Sequence, residues 1–245
     1  MVRLDRTGLT NAAVRLLAKH TPYMEAEMLG LSELVGPGDV CIDIGAAAGL
    51  YTLALSELVG PTGVVHSVEP LPFAHQLWKR LLRTGSASNV RPLSGALGLE
   101  PGKGVISVPI GPYGLVTGRS FLTGRSKGLG SNAEFEGAVD IVVDVETMAG
   151  MVDRLGLTRL DFLKIDVEGA ELHVLESGQR AIETYRPAML VEIEDRHISR
   201  YAHSAADIVD WLVKRDYTMH VWRDGWRPAT TVTAATRNYL FRPTL

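Results

Sequence analysis

Cysteine is almost absent: Cys41 is the single one in 245 residues. That excludes an intramolecular disulfide framework and any multi-cysteine zinc site. Its place in the apolar run Val40-Cys41-Ile42 predicts an inert buried thiol. An excess of charge is missing too. Lys and Arg number 25 against 28 Asp and Glu, a net −3, so bulk electrostatics give no reason to expect nucleic acid or a membrane surface as partner. No apolar run approaches the roughly 20 residues of a membrane-spanning helix. The first twenty residues break their apolar stretches with Arg3, Asp5, Arg6, Arg15 and Lys19, which does not read as a secretory signal. A soluble, cytoplasmic protein is the expectation. The phosphate-binding pattern G-x-x-x-x-G-K-[ST] is absent as well, which removes the P-loop nucleotide enzymes.

What is present is an alternation of apolar runs and helical periodicity. Residues 8–35 read as mostly helical, with Leu9, Ala12, Ala13, Leu16 and Leu17 at three- and four-residue spacing and Thr10 as N-cap. Gly36-Pro37-Gly38-Asp39 ends that segment with turn chemistry. Strands are predicted over Val40–Ile44, Gly63–Glu69, Val90–Leu97, Leu160–Val167, Pro187–Ile193, Tyr217–Trp222 and Asn238–Phe241. Helices fall between them: one to about Val59, Phe73–Leu82, one entered at Gly169, and Ser204–Arg215 with Ala205, Ile208, Val209 and Leu212 on one face. Strands separated by helices pair in parallel through right-handed crossovers. The fold class is therefore α/β and Rossmann-like: a mostly parallel seven-stranded sheet with helices on both faces. The regular order is interrupted at about 103–145, where hairpin-like strands Val105–Ile110 and Val139–Val145 flank a glycine-rich loop carrying Arg119, Arg125 and Lys127. That insertion reads either as a floppy surface excursion or as a substrate lid. No linker or repeat divides the chain, so 1–245 is expected to be one domain, an N-terminal helical segment (1–37) followed by the core (38–245).

In such sheets ligands bind beyond the carboxyl ends of the strands. The loop after the first strand, Asp43-Ile44-Gly45-Ala46-Ala47-Ala48-Gly49, has glycines spaced G-x-x-x-G. A dinucleotide fingerprint would need glycine where Ala47 stands, to let a pyrophosphate reach the backbone. The carboxylate of Asp43 suits an ammonium or sulfonium group better than a phosphate. Glu69, 24 residues beyond Gly45, is placed to accept hydrogen bonds from both ribose hydroxyls of an adenosine. Together these features describe an adenosyl site without a phosphate cradle, which fits S-adenosylmethionine.

Val40 to Thr52, the Glu69-Pro70 pair, the block Leu160-Asp161-Phe162-Leu163-Lys164-Ile165-Asp166-Val167-Glu168-Gly169-Ala170-Glu171, the Pro187–Glu192 strand and Asn238-Tyr239-Leu240 resemble the FkbM family of S-adenosylmethionine-dependent methyltransferases. The resemblance runs from about residue 38 to 243 and is most specific at Lys164–Glu171. One departure is Ala47, where the family usually carries Asn. The resemblance implies a Rossmann-like methyltransferase fold and O-methylation of a hydroxyl, on a sugar, a small glycoside or oligosaccharide, or a non-sugar natural product. Within the family the chain is similar to actinobacterial sugar O-methyltransferases. A cofactor-binding module without catalysis is the alternative of a different class. On this reading Asp43, Gly45, Ala46, Gly49, Tyr51, Glu69, Pro70, Ala96 and Asp166 surround the cofactor.

An acceptor hydroxyl must lose its proton, and Asp166, Glu192 and His197 are the candidates to take it. Asp166 stands at a strand tip. His197 has a suitable unperturbed pKa near 6.5, although Arg196 and Arg200 beside it fit a solvated turn equally well. Glu168 is expected to cap the helix that follows Gly169. Asp166, Glu192 and Glu194 offer oxygen ligands for Mg²⁺; alternatively these acids bind sugar hydroxyls directly. The other histidines show no ligand pairing. Trp222 and Trp226 flank Arg223-Asp224-Gly225, a hairpin turn, and serve the core, a homodimer contact or a stacked sugar.

Overall fold

In the computed structural model, residues 25–71 and 87–244 are described. The predicted Thr10 cap, the helical residues before 25 and the Phe73–Leu82 helix lie outside the described residues. In chain order the elements begin with β1 (Val40–Ile44), α1 (Leu50–Val59), β2 (Val64–Glu69), β3 (Val90–Ser94) and β4 (Ala96–Leu97). Next come β5 (Gly102–Gly111), β6 (Gly114–Leu115), β7 (Phe121–Leu122), β8 (Gly137–Glu146) and α2 (Met148–Arg154). The chain continues with β9 (Phe162–Ile165), α3 (Glu171–Ser177), α4 (Gln179–Tyr185), β10 (Ala188–Glu192) and α5 (Asp195–Ile198). It ends with α6 (Ala205–Val213), β11 (Tyr217–Trp222), β12 (Trp226–Pro228) and β13 (Asn238–Pro243).

The main sheet has the order β12-β11-β13-β10-β9-β1-β2-β3. Strands β3, β2, β1, β9 and β10 are parallel, and β13, β11 and β12 extend the sheet antiparallel. Among the described residues it therefore has eight strands rather than the expected seven. The extra one, β12, folds back on β11 through the predicted Asp-Gly turn, where Asp224 and Gly225 take the positive φ values of 49° and 133° that such a tight reversal needs. The period-2 alternation of strand side chains sorts the core onto two faces. Ile42, Ile44, Leu163, Ile165, Met189 and Val191 pack toward α2–α6, whereas Cys41, Phe162, Leu190 and Leu240 pack toward α1 and the N-terminal segment. Cys41 is fully buried, and burial pushes its thiol pKa up, as an inert core thiol requires.

The predicted strand Val90–Leu97 is split. Gly95, at φ +138°, breaks it, and β4 leaves the main sheet to pair with β8. The insertion is more than a hairpin and a loop. It forms a second sheet in the order β4-β8-β5-β6, with β7 also on β5, closed over Leu71, Ile106, Val108 and Val143. At the N-terminus a 3-10 helix spans Ala26–Glu33. Trp222 and Trp226, edge to face at 5.2 Å, close over it at Gly30, where an added Cβ would lie 2.3 Å from the Trp222 ring. The tryptophan pair thus packs the N-terminal segment and lines no part of the cavity described below. Among the described residues no helix is long and apolar enough to cross a membrane.

Candidate active site

The carboxyl ends of β1, β2, β9 and β10 open into a cavity of about 330 Å³, walled on its far side by the second sheet. Gly45, Glu69, Pro70, Asp166, Glu192 and His197 line it, as does Ala96 of β4. An adjoining compartment of about 170 Å³ is lined by Asp43, Ala46, Gly49, Tyr51 and Lys164. The two share Glu25, Gly45, Ala47 and Asp166. Every residue nominated from the sequence for catalysis or cofactor contact therefore borders one crevice.

The turn after β1 is built by its glycines. Gly45 sits at φ +79°, and a Cβ there would lie 1.7 Å from the carbonyl oxygen of Asp166, so no side chain fits between the ends of β1 and β9. The amides of Gly45 and Ala46 donate to the Val68 carbonyl at 3.0 and 3.1 Å. Gly49, at φ +81°, opens α1 without a capping side chain, and Gly49, Leu50 and Tyr51 of this first turn line the smaller compartment. Asp43 is buried beneath the turn and accepts a 2.5 Å hydrogen bond from Thr52. Burial raises its pKa to about 6, against the opposing pull of the Thr52 bond and Lys164. Glu69 is buried with one carboxylate oxygen accepting from Ala47 N–H and the other from Leu71 N–H, each at 2.8 Å. Burial also raises the Glu69 pKa, opposed by those two bonds.

Behind Asp166 runs a polar row on the α1 face of the sheet. Lys164 is 1% exposed; its ammonium donates to Asp166 at 3.2 Å and Asn238 at 2.9 Å and lies 4.9 Å above the Tyr51 ring. Tyr51 and Asn238 in turn both donate to one oxygen of Glu25, at 2.6 and 2.9 Å. Burial alone would lower the lysine pKa, but Asp166, Glu25, Glu192 and Asp43 outweigh it and hold the value above normal. No spacing in the sequence announces Glu25 or Asn238, which are separated by 213 residues.

On the other side of Asp166 stand Glu168, Glu192 and His197, all buried. His197 Nδ1 is 3.0 Å from Glu168 Oε2 and 3.7 Å from Glu192 Oε2. Burial and the neighbouring Arg196 hold the histidine down to about 4, so its ring is neutral at neutral pH. Burial, then Asp166, pushes Glu168 up to about 9 and Glu192 well above the carboxylate range. The expected capping role of Glu168 belongs to Glu171, whose Oε1 accepts from Val167 and Gly169 N–H at 3.2 and 3.0 Å. Glu168 instead takes a left-handed φ of 57°, and its side chain meets His197.

Two further expectations are corrected here. Glu194 is held between Arg196 and Arg237, at 2.5 and 3.2 Å, and so is no free ligand for a cation with Asp166 and Glu192. Arg200 does not belong to a solvated turn. Its side chain is wholly buried and donates to the carbonyls of Glu168 and Leu129 and to Asn132 Oδ1. It thereby fastens the insertion to the β9–α3 turn. From that insertion Thr117, Arg119, Ser120 and Phe121 line the larger compartment, so its lid reading fits the cavity wall and the floppy one does not.

The family profile described as "Methyltransferase FkbM domain" matches residues 43–219. Methyltransferase sdnD of Sordaria araneosa is 28% identical over 177 residues, which span 60% of this chain and 66% of that protein. The crystal structure of Methyltransferase FkbM from Methylobacillus flagellatus KT superposes with a TM-score of 0.50 at 17% identity, covering 97% of this chain and 55% of that one. Cofactor-bound Rv0187 from MTB superposes with a TM-score of 0.51 at 17% identity, covering 99% of this chain and 91% of that one. This chain thus spans about two thirds of the curated relative and about half of the first of these structures, and the structural likenesses show the fold alone. The profile match covers well over half of the sequence, and the chain belongs to the FkbM family of S-adenosylmethionine-dependent methyltransferases.

Proposed function

We propose that this chain transfers a methyl group from S-adenosylmethionine to a hydroxyl of a sugar or small glycoside. The observation that carries this reading is the position of Asp166, whose carboxylate borders both the compartment beneath the glycine turn and the larger polar compartment beyond it. The residues present fit the cofactor. The turn from Gly45 to Gly49 carries no cation for a diphosphate, while Asp43, Glu69 and Asp166 surround it with negative charge, as a cationic nucleoside requires. Glu69 keeps a lone pair on each oxygen for a ribose hydroxyl, and the uncapped start of α1 offers N–H groups to a carboxylate.

When bound, S-adenosylmethionine supplies a methyl group already activated by its sulfonium. The protein's contribution is alignment and proton removal. Holding oxygen, carbon and sulfur in line contributes up to roughly 7–11 kcal/mol. Asp166 would take the proton from the acceptor hydroxyl during the transfer, and Lys164 holds that carboxylate in place. Thr117, Ser120, Arg119 and Arg237 bring hydroxyl and guanidinium groups to the cavity wall, which suits a polyhydroxylated acceptor.

Calorimetry with S-adenosylhomocysteine tests the cofactor half. Binding is expected in the wild type and lost in Glu69→Ala; unchanged affinity in that variant defeats the assignment. Mass spectrometry of a glycoside panel tests the rest, through a gain of one methylene per acceptor. Asp166→Asn should keep the affinity for S-adenosylhomocysteine, which has no sulfonium charge, and lose turnover by about 10²–10⁴-fold. Equal weakening of binding and turnover would make Asp166 a cofactor or folding residue.

A further inference from the structure

We propose that Glu168, Glu192 and His197 form a binding site for one divalent cation at the acceptor end of the cavity. These three side chains come from three different elements: the turn after β9, the end of β10, and α5. One ligand atom from each lies within 4.8 Å of the others. Ligands about 2.1 Å from an ion and at right angles to each other are about 3.0 Å apart, the order of the distances from His197 Nδ1 to Glu168 (3.0 Å) and Glu192 (3.7 Å).

An independent observation points to a missing partner. His197 is 2% exposed; among the described residues its Nε2 has no hydrogen-bond partner, and its Nδ1 has only carboxyl oxygens near it, Glu168 Oε2 at 3.0 Å and Glu192 Oε2 at 3.7 Å. Glu168 Oε2 is likewise buried and makes no hydrogen bond among the described residues, with only His197 Nδ1 at 3.0 Å and the Arg200 guanidinium at 3.7 Å near it. Leaving such groups unpaired in a protein interior costs free energy, and native structures avoid it. A cation satisfies Nδ1 and Oε2 at once and neutralises the crowd of Asp166, Glu168 and Glu192. The neighbouring cations do so only in part. Lys164 is taken by Asp166 and Asn238 and Arg196 by Glu194, while Arg200 stands 3.7 Å from Glu168 Oε2 but spends its hydrogen bonds on Glu168 O, Leu129 O, Ser131 and Asn132.

Two carboxylates and one imidazole suit a six-coordinate ion of the Mg²⁺ and Mn²⁺ class. Three coordination positions then remain for water or for acceptor oxygens in the cavity. An acceptor with vicinal hydroxyls fills two of them, which orients one hydroxyl toward Asp166 and acidifies it. This role for the ion rests on the proposed methyl transfer; its binding does not.

Mn²⁺ titrated into chelator-treated protein and followed by electron paramagnetic resonance decides the matter. One equivalent is expected to bind, with nitrogen modulation from a single imidazole. His197→Gln should abolish the modulation, and Glu168→Gln, Glu192→Gln and His197→Gln should each weaken Mn²⁺ at least tenfold. Glu194→Gln should leave it unchanged. Absence of Mn²⁺ binding by the wild type, or binding without the nitrogen signal, overturns the site without recourse to any variant. S-adenosylhomocysteine calorimetry on the same samples separates the two ideas. Cofactor bound without Mn²⁺ sinks the cation site alone, and Mn²⁺ bound without cofactor sinks the methyltransferase reading alone.

Discussion

At Ala47 an ordinary side chain occupies a backbone conformation that disfavours it, φ 44°, because its N–H must reach Glu69 Oε2. The left-handed region costs an L-residue roughly 1–2 kcal/mol, and glycine or asparagine tolerates it better. Ala47→Gly is therefore expected to stabilise the protein by about 0.5–1 kcal/mol in urea unfolding, after the extra chain entropy of glycine is subtracted. S-adenosylhomocysteine affinity should survive, since the N–H that orients Glu69 is kept. Glu171 makes a second prediction at this scale. It is wholly buried, and burial raises its pKa to about 7 despite its backbone hydrogen bonds. Below the ordinary value of 4.5 both folded and unfolded chains hold the proton. As pH rises to about 7 the unfolded chain ionises first, and stability is lost across that window and stays lost above it. Glu171→Gln cannot ionise, so its stability relative to wild type should improve between about pH 4 and pH 8, by an amount on the order of 3 kcal/mol. A flat difference between the two urea midpoints over that range would contradict the assignment.

Between elements, the decisive joint is Arg200, which ties the segment around Leu129–Asn132 to the β9–α3 turn. Truncating it strands the carbonyls of Glu168 and Leu129 and opens a void beside Phe121, over which the guanidinium stacks at 4.4 Å. Arg200→Ala should cost about 2–4 kcal/mol, with faster amide exchange concentrated in residues 117–135. Uniform exchange across the molecule would mean that the insertion is not held through this residue. Arg200 also shows where reading the sequence fell short. Its charged neighbours suggested solvent, because nothing in local spacing reveals a partner about 70 residues away. The parallel strands were legible, since each is a short apolar run followed by helical periodicity. The break at Gly95 was not, because Val90 to Leu97 reads as one strand until β8 is there to pair with its last two residues. The tight turn after β1 was legible from Gly45 and Gly49, which take the positive φ values it needs. The association of Glu168 with His197 required knowing that Glu168 adopts a left-handed φ.

Across the whole molecule, the crevice is a seam between two sheets: Gly45, Glu69 and Asp166 stand on the main sheet, and Ala96, Leu97, Ile106 and Phe121 on the second. The sheets are joined at Gly95, whose N–H donates to the Glu69 carbonyl and whose missing Cβ would lie 3.1 Å from the Asp144 carbonyl. A ligand filling that seam must therefore stabilise both sheets together. Mass action gives about 2.7 kcal/mol when the ligand is present at 100 times its Kd. For a chain of this size each kcal/mol raises Tm by about 2–4 °C, so saturating S-adenosylhomocysteine should raise Tm by about 5–10 °C. Glu69→Ala should abolish the shift. Amide exchange should slow at β1 and β2 and also at β4 and β5, because the seam is continuous. Protection confined to the main sheet would show that the second sheet takes no part in holding the cofactor, and would leave it only the wall around the acceptor.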